Sequence, residues 1–512
     1  MKPLSCLSKF LLAMLLSLLS ACASTNFNVV QESSYAIQAS DNTRLGKLKI
    51  DSGRSRSSSE SSFFPLTGGI ESLGARLRLI DAAEVSIDLQ YFMMKDDIVG
   101  ALLSAKLLEA ADRGVRVRFL LDDIFTTIQD VDLFVLNEHA NIEVRLFNPI
   151  ARRGFKHLNY AWNFSSVNRR MHNKSFTVDG SFTIVGGRNL AREYFSLNDD
   201  TEFFDLDVLA SGPIADEVAA SFDYFWNFSQ ALGIEHLRDK PSPLQLHNAR
   251  RAIDGALSSE GAAIYRVAIE SEVLLQLVNK VVSDVVAEAR LIAELPEKLK
   301  LSTDDDSFRL IKVLGEFMKD AKNEIFMITP YFIPTAKGMD FFQTIVNKGV
   351  KVTLVTNSLA STNHVPVHAA YERYRKGMLA MGAEIYETRA DAFQGMERND
   401  KSQQRSTLHT KLIVIDRRYV FIGSLNLDPR SVVLNTEIGI MIDSPDLAAT
   451  LMEDIEDGFD QEVYRLELDT DGKLLWHGHY NGAAVVLTRD PQASWWRHFS
   501  VNIFKILPEG QL

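Results

Sequence analysis

The sequence predicts an α/β protein of two pseudo-twofold-related sandwich domains, each a mixed central sheet flanked by helices. Three observations carry this. At 512 residues the chain is too long for one ordinary domain. Apolar β-forming runs alternate with helix-like segments. The whole order of those runs then occurs a second time.

Taken in order, EVSIDLQYF at Glu84–Phe92 matches EIFMITPYF at Glu324–Phe332. RGVRVRFLLDD at Arg113–Asp123 matches KGVKVTLVTNS at Lys348–Ser358, each preceded by a helix-like stretch. IEVRLFNP at Ile142–Pro149 matches AEIYETR at Ala383–Arg389. Last, HNKSFTVDGSFTIVGGRN at His172–Asn189 matches HTKLIVIDRRYVFIGSLN at His409–Asn426. Strand, helix, strand, helix, strand and hairpin therefore recur, which places one domain at 64–245 and another at 306–465. The pattern over Ala262–Lys300 is helical, so 246–305 is expected to be a helical connection. The tail, 466–512, differs in character.

The first 22 residues, MKPLSCLSKFLLAMLLSLLSAC, have a positive start (Lys2, Lys9) and a short apolar run, Phe10–Leu19. That run is shorter than the ~20 residues a membrane span needs, so it reads as a secretory signal. Its end, Leu19-Ser20-Ala21-Cys22, resembles a bacterial lipobox, which implies cleavage before Cys22 and acylation of that thiol; plain cleavage at a small-residue site is the alternative. Lipobox cleavage removes Lys2 and Lys9 and takes the formal charge from −12 to −14. It also removes Cys6, leaving no pair for a disulfide. The polar, Ser-rich stretch 23–63, with RSRSSSESS at Arg54–Ser62, reads as a tether. An acid surplus of this size weighs against a nucleic-acid partner.

The repeat is sharpest where the residues are polar. His172, Lys174, Asp179, Gly186 and Asn189 recur 237 positions later as His409, Lys411, Asp416, Gly423 and Asn426. His and Lys two apart on a strand face the same side. Asp179-Gly180 is a hairpin signal, and the returning chain carries Asn189 back toward that face. Two such copies converge two imidazoles, two ammoniums and two amides. That set suits a phosphodiester: lysines and amides neutralise and position the phosphate oxygens, one imidazole attacks phosphorus, and the other protonates the leaving oxygen. No metal is demanded.

These motifs resemble those of the phospholipase D superfamily: HxK, four residues, D, six residues, GSxN, twice per active unit. The second copy matches throughout, including Ser424; the first has Gly187 where the serine stands. The resemblance spans roughly Gly68–Leu466. It implies that an acid following each motif hydrogen-bonds the histidine, here Glu202 and Glu437, which lie 30 and 28 residues after His172 and His409. It implies that Asp179 and Asp416 are structural turn residues, and that His172 is the nucleophile and His409 the acid. Within the superfamily, NRRMHNKSFTVDG at Asn168–Gly180, GGRNLAREYF at Gly186–Phe195 and GSLNLDPRSVVLNTE at Gly423–Glu437 look like bacterial cardiolipin synthases, most of all the lipoprotein-like C type. The tail SWWRHFSVNIFKILP at Ser494–Pro508 fits that group too. The implied reaction is cofactor-free phosphatidyl transfer to phosphatidylglycerol from phosphatidylglycerol or phosphatidylethanolamine. The implied partners are phospholipid substrates and a bacterial membrane, with an accessory protein left open. The implied location is the cell envelope, preferentially the periplasmic face of the outer membrane, with the inner membrane as the alternative. A hydrolytic phospholipase D, a nuclease and an inert scaffold of the same fold are the rival readings.

Trp495, Trp496, Phe499, Ile503, Phe504, Ile506 and Leu507, interleaved with Arg497 and Lys505, suit a membrane interface or a docked terminal element. Arg169 and Arg170 read as phosphate ligands or as a solvated loop. His364 and His368 have HxxxH spacing, but Pro366 is expected to break a helix between them. His477 and His479 read as an exposed strand.

Overall fold

The structure is a computed structural model that describes residues 26–51, 59–150, 168–197, 201–258, 260–271, 285–392, 405–457, 459–480 and 483–505. The signal, Cys22, Ile506 and Leu507 lie outside the described residues.

The first half contributes β1 (Glu60–Leu66), β2 (Ser86–Tyr91), β3 (Arg116–Asp122), β4 (Ile142–Phe147), β5 (Ser175–Val178), β6 (Phe182–Gly186), β7 (Thr201–Phe204), β8 (Asp207–Ser211) and β9 (Ala231–Gly233). The second contributes β10 (Val285–Ala293), β11 (Glu324–Ile328), β12 (Lys351–Asn357), β13 (Glu384–Thr388), β14 (Arg405–Leu408), β15 (Leu412–Ile415), β16 (Tyr419–Gly423), β17 (Ile438–Asp443), β18 (Val463–Leu468), β19 (Leu474–Tyr480) and β20 (Ala483–Leu487).

Pairing runs β4-β3-β2-β5-β6-β8-β1 in one half. It runs β13-β12-β11-β15-β16-β17-β10 in the other. The two orders are the same, with the same parallel and antiparallel senses. They meet where β1 pairs antiparallel with β10, Phe63 opposite Val285. One 18-stranded sheet thus crosses both halves. Helices such as Gly69–Ala82, Ile98–Asp112, Thr335–Asn347 and Val365–Met381 supply the crossovers. The inner strands β2 and β12 are buried along nearly their full length, as parallel strands covered by helices require. Apart from a core in each half, a shared core joins Phe63, Val185 and Val208 to Phe326, Leu412, Ile438 and Ile440, so the halves adhere through apolar side chains.

Three expectations are corrected. Among the described residues the connection 246–305 is not helical throughout: Pro243–Gly255 and Glu260–Ile269 are α-helices and Pro296–Lys300 a short 3-10 helix, but Val285–Ala293 is β10, paired on both sides. Its Ala and Glu content looks helical, but two open strand edges outweigh local propensity. The stretch 23–63 is not simply a tether. Ser34 O accepts from Arg118 Nη1 at 2.8 Å, Ala36 N donates to Asp223 at 2.9 Å, and Glu60–Leu66 is a central strand. The tail is not separate either, because β18 adds to β13 and carries β19 and β20 with it. Among the described residues no helix is long and apolar enough to cross a membrane.

Proline in a strand paired on both sides removes a ladder hydrogen bond. Glu288→Pro, opposite both Glu60 of β1 and Asp443 of β17, is expected to lower stability in urea unfolding by about 1 kcal/mol or more for the lost ladder bonding; an unchanged midpoint would contradict the seam described above.

Candidate active site

Each motif enters the site from a short strand pairing with the opposite half. Met171 bridges Thr436, and β14 pairs parallel with β7, Leu408 opposite Phe204. His172 N donates to Thr436 O at 2.9 Å, and His409 N donates to Phe204 O at 2.7 Å. The residue after each of those carbonyls is an acid. His172 Nδ1 lies 2.9 Å from Glu437 Oε2, and His409 Nδ1 lies 2.6 Å from Asp205 Oδ2. All four side chains are buried.

The pairs are therefore crossed, and Glu202 is not the partner of either histidine. It lies on β7 opposite Ser406, half-buried. The strand register shows why spacing misled. Gly186 faces Asp207 and Gly423 faces Gly439, so Asp205 and Glu437 occupy equivalent places two residues earlier. The first copy holds five more residues between glycine and acid than the second, which moved Glu202 into the expected interval.

The Gly187 departure has a steric reason. A Cβ on Gly187 would sit 2.1 Å from Asp205 Oδ1. In the second copy Ser424 Oγ donates to Glu437 and accepts from Ile438 N at 3.0 Å. A longer acid pairs with serine, and a shorter acid takes the space a serine would fill.

Lys174 and Lys411 reach the same pocket. Lys174 Nζ donates to His172 O at 2.5 Å and stands 5.2 Å over the Phe92 ring. Lys411 Nζ lies 2.9 and 3.2 Å from the two ring nitrogens of His409. Asn189 Nδ2 donates to Tyr194 Oη at 3.0 Å. Asn189 and Asn426 each leave the amide oxygen buried without a partner, the same orphan in both halves. Phe92 meets His172 edge-on at 4.8 Å, while Tyr194 and Phe203 hold His409 at 5.2 and 5.6 Å. Sequence reasoning missed Asp205, Phe92, Tyr194 and Phe203; only the acid-rich run Asp199–Asp207 signalled any of them.

Asp179 and Asp416 sit at positive φ, 50° and 53°, in the hairpin turns. Asp179 accepts from the backbone N–H groups of Glu84, Val85 and Ser86, and Asp416 from those of Lys322, Asn323 and Glu324. They tie each hairpin to the strand beside it, away from the histidines. Arg170 is buried on Asp122, 3.3 Å away, and Arg169 donates to Leu299 O at 3.1 Å. Both arginines brace the entry to His172, and neither is the solvated loop charge expected of the pair.

Burial pushes His172 down to about 4, against the pull of Glu437 and with the help of Lys174. Burial, then Lys411, puts His409 at about 4 despite Asp205. Burial lowers Lys174 to about 7 and Lys411 to about 8. At neutral pH both imidazoles are thus neutral, with a carboxylate fixing Nδ1–H and leaving Nε2 as the reactive nitrogen. A phosphodiester anion entering here offsets the lysine repulsion and raises all four values, so binding itself charges the site.

His368, Glu372 and Asp490 form an acid-histidine cluster. Asp490 and Lys505 show its use: Arg375 Nη1 reaches Asp490 at 2.9 Å and Lys505 Nζ reaches Glu372 at 2.9 Å, so cations of the chain already balance it. Pro366 does not break the helix; it lies in the first turn of Val365–Met381, where its missing N–H costs nothing, with His364 as N-cap. His477 pairs with Glu467 at 3.2 Å.

The family model described as a cardiolipin synthase, phospholipase D-like domain matches residues 77–226 and 314–460. Cardiolipin synthase C of Escherichia coli K12 is 37% identical over 448 residues, 87% of this chain and 94% of that protein. Cardiolipin synthase 1 of Bacillus anthracis is 26% identical, over 77% of this chain and 65% of its own. A phosphatidylserine synthase structure from Haemophilus influenzae Rd KW20 superposes with a TM-score of 0.54 at 14% identity, over 80% of this chain and 88% of its own, and shares the fold.

Two outcomes are expected. Asp205→Asn or Gly187→Ser lowers turnover by about 10²-fold or more, while Glu202→Gln stays within about threefold; the reverse ranking in a steady-state assay would restore Glu202 as the partner. kcat/KM falls as pH rises through about 7 and then about 8, where Lys174 and then Lys411 lose charge; a profile flat to pH 10 would contradict it.

Proposed function

Because the chain belongs to the phospholipase D-like cardiolipin synthase family, an enzyme family of phosphatidyltransferases, we propose that it makes cardiolipin from phosphatidylglycerol and a second phospholipid through a phosphohistidine. The observation that carries this is the composite site: two neutral imidazoles from opposite halves, each held at Nδ1 by a carboxylate, beside two buried lysines.

His172 Nε2 attacks phosphorus, and the bond from phosphorus to the headgroup oxygen breaks. His409, charged by then, gives its Nε2 proton to that oxygen. The hydroxyl of phosphatidylglycerol next returns a proton to His409 and attacks phosphorus, releasing His172 and leaving cardiolipin. Lys174 and Lys411 neutralise the phosphoryl oxygens in both steps. The choice of His172 as nucleophile is supported by an asymmetry. Lys411 Nζ lies against both nitrogens of the His409 ring, whereas His172 Nε2 has no hydrogen-bond partner among the described residues.

The reading includes a lipid anchor at Cys22, holding the enzyme at the periplasmic face of a bacterial membrane, preferentially the outer one. Cys22→Ala is expected to move the protein from the membrane to the soluble envelope fraction; retention on the membrane would remove the anchor from the account.

Mass spectrometry of phosphatidylglycerol incubated with the purified protein, with and without phosphatidylethanolamine, tests the reaction. Cardiolipin is expected from the wild type and from neither His172→Ala nor His409→Ala, a loss of about 10⁴-fold or more. Phosphatidic acid in place of cardiolipin would make the protein a hydrolase, and turnover in either variant would rule out the two-histidine route.

A further inference from the structure

The helix Trp495–Phe504 begins at Ser494, whose side chain accepts from Arg497 N. Val501 and Phe504 pack it against Leu359, Val365 and Ala369. Its outward face carries Trp495, Trp496, Phe499 and Ile503, respectively 66%, 67%, 46% and 50% exposed. Trp495 stacks on Phe499 at 5.4 Å, so the face is an ordered aromatic surface. Indole rings favour the polar boundary of a bilayer.

Arg497 turns the other way. Its Nη1 donates to Leu359 O and, at 3.0 Å, to Thr362 O. Arg405, at the start of β14, donates from Nη2 to the same Thr362 carbonyl. Two half-buried guanidiniums therefore converge on one oxygen. No carboxylate among the described residues pairs with either, and Arg405 Nε is buried without a hydrogen-bond partner. Burial, then the neighbouring Arg497, holds Arg405 down at about 10, and burial lowers Arg497 as well. Facing like charges in a partly dry site are stabilised by an anion, and guanidinium forks match phosphate oxygens in pairs. Arg405 is four residues from His409 on an extended segment, about 13 Å away along the backbone. Transfer between two phospholipids brings two phosphates to the enzyme, and Lys174 and Lys411 account for one.

We propose that Arg405 and Arg497 form a second phosphate subsite, for the headgroup of an anionic phospholipid, presented at the bilayer surface by the aromatic face of the helix Trp495–Phe504. It rests on the phospholipid reading above.

Binding separates the two claims because it needs no turnover. The full chain with Cys22→Ala, which removes the proposed lipid anchor, and the same chain carrying R405Q/R497Q or R405K/R497K are sedimented with phosphatidylcholine vesicles, with and without one-third phosphatidylglycerol. Tryptophan emission is recorded in parallel, and inorganic phosphate is tested by thermal shift. The chain with both arginines is expected to bind anionic vesicles at least about tenfold more tightly than R405Q/R497Q, with a blue-shifted emission. The lysine variant recovers part of the difference, since it keeps the charge. Equal binding by all three overturns the subsite, even where cardiolipin forms. Loss in both variants alike overturns it too, pointing to a structural role at the Thr362 carbonyl. Phosphate stabilising only the chain with both arginines, with vesicle binding equal, overturns the lipid assignment in favour of free phosphate. Arginine-dependent anionic binding without cardiolipin synthesis upholds the subsite and refutes the proposed reaction.

Discussion

Each motif histidine is held by a carboxylate from the other half of the chain, and most of the architecture serves that crossing. His172 leans on Glu437 and His409 on Asp205, while each histidine N–H bonds the carbonyl just before the opposing acid. Side chain and backbone thus fix the same alignment twice. Neither half can orient its own imidazole, so the reactive state exists only when the halves dock. The β1–β10 seam and the shared apolar core hold the two halves together through residues other than those of the site. That division of labour lets the site remain charged and locally costly.

The cost is visible in the site itself. Two lysines and two acids are buried with two imidazoles, and burial drives both imidazoles neutral. Such an arrangement is poor for stability and useful for chemistry, because an arriving anion removes the mismatch. The halves also solve one packing problem in two ways. Serine with glutamate in the second copy and glycine with aspartate in the first each place a carboxylate oxygen on Nδ1. The imperfect motif is therefore a compensated variant rather than a decayed one.

Much of this was legible in the sequence because the repeat preserved polar residues at a constant offset. His172, Lys174, Asn189 and their partners His409, Lys411 and Asn426 lie in motifs whose spacing is set by a hairpin, and hairpins are local. Alternating strands and helices likewise reported the fold through burial on both faces. The acid assignment was less legible. Asp205 is placed by pairing of β6 with β8 across a loop five residues longer than its counterpart, and loop length is not constrained by the chemistry. β10 was hidden for a related reason: its strand character comes from the two edges it joins, while its Ala and Glu content looks helical. Docking of Ser34 and Ala36 on Arg118 and Asp223 depends on side chains distant in sequence, so a polar stretch looked like free chain.

The crossing is tested most directly by nitrogen-15 NMR of the imidazoles in protein labelled only at histidine. The account predicts that Glu437→Gln shifts the Nδ1 resonance of His172 and leaves His409 in place, and that Asp205→Asn does the opposite. A shift of His409 on loss of Glu437, or of His172 on loss of Asp205, would show that each half braces its own histidine and would contradict the composite site.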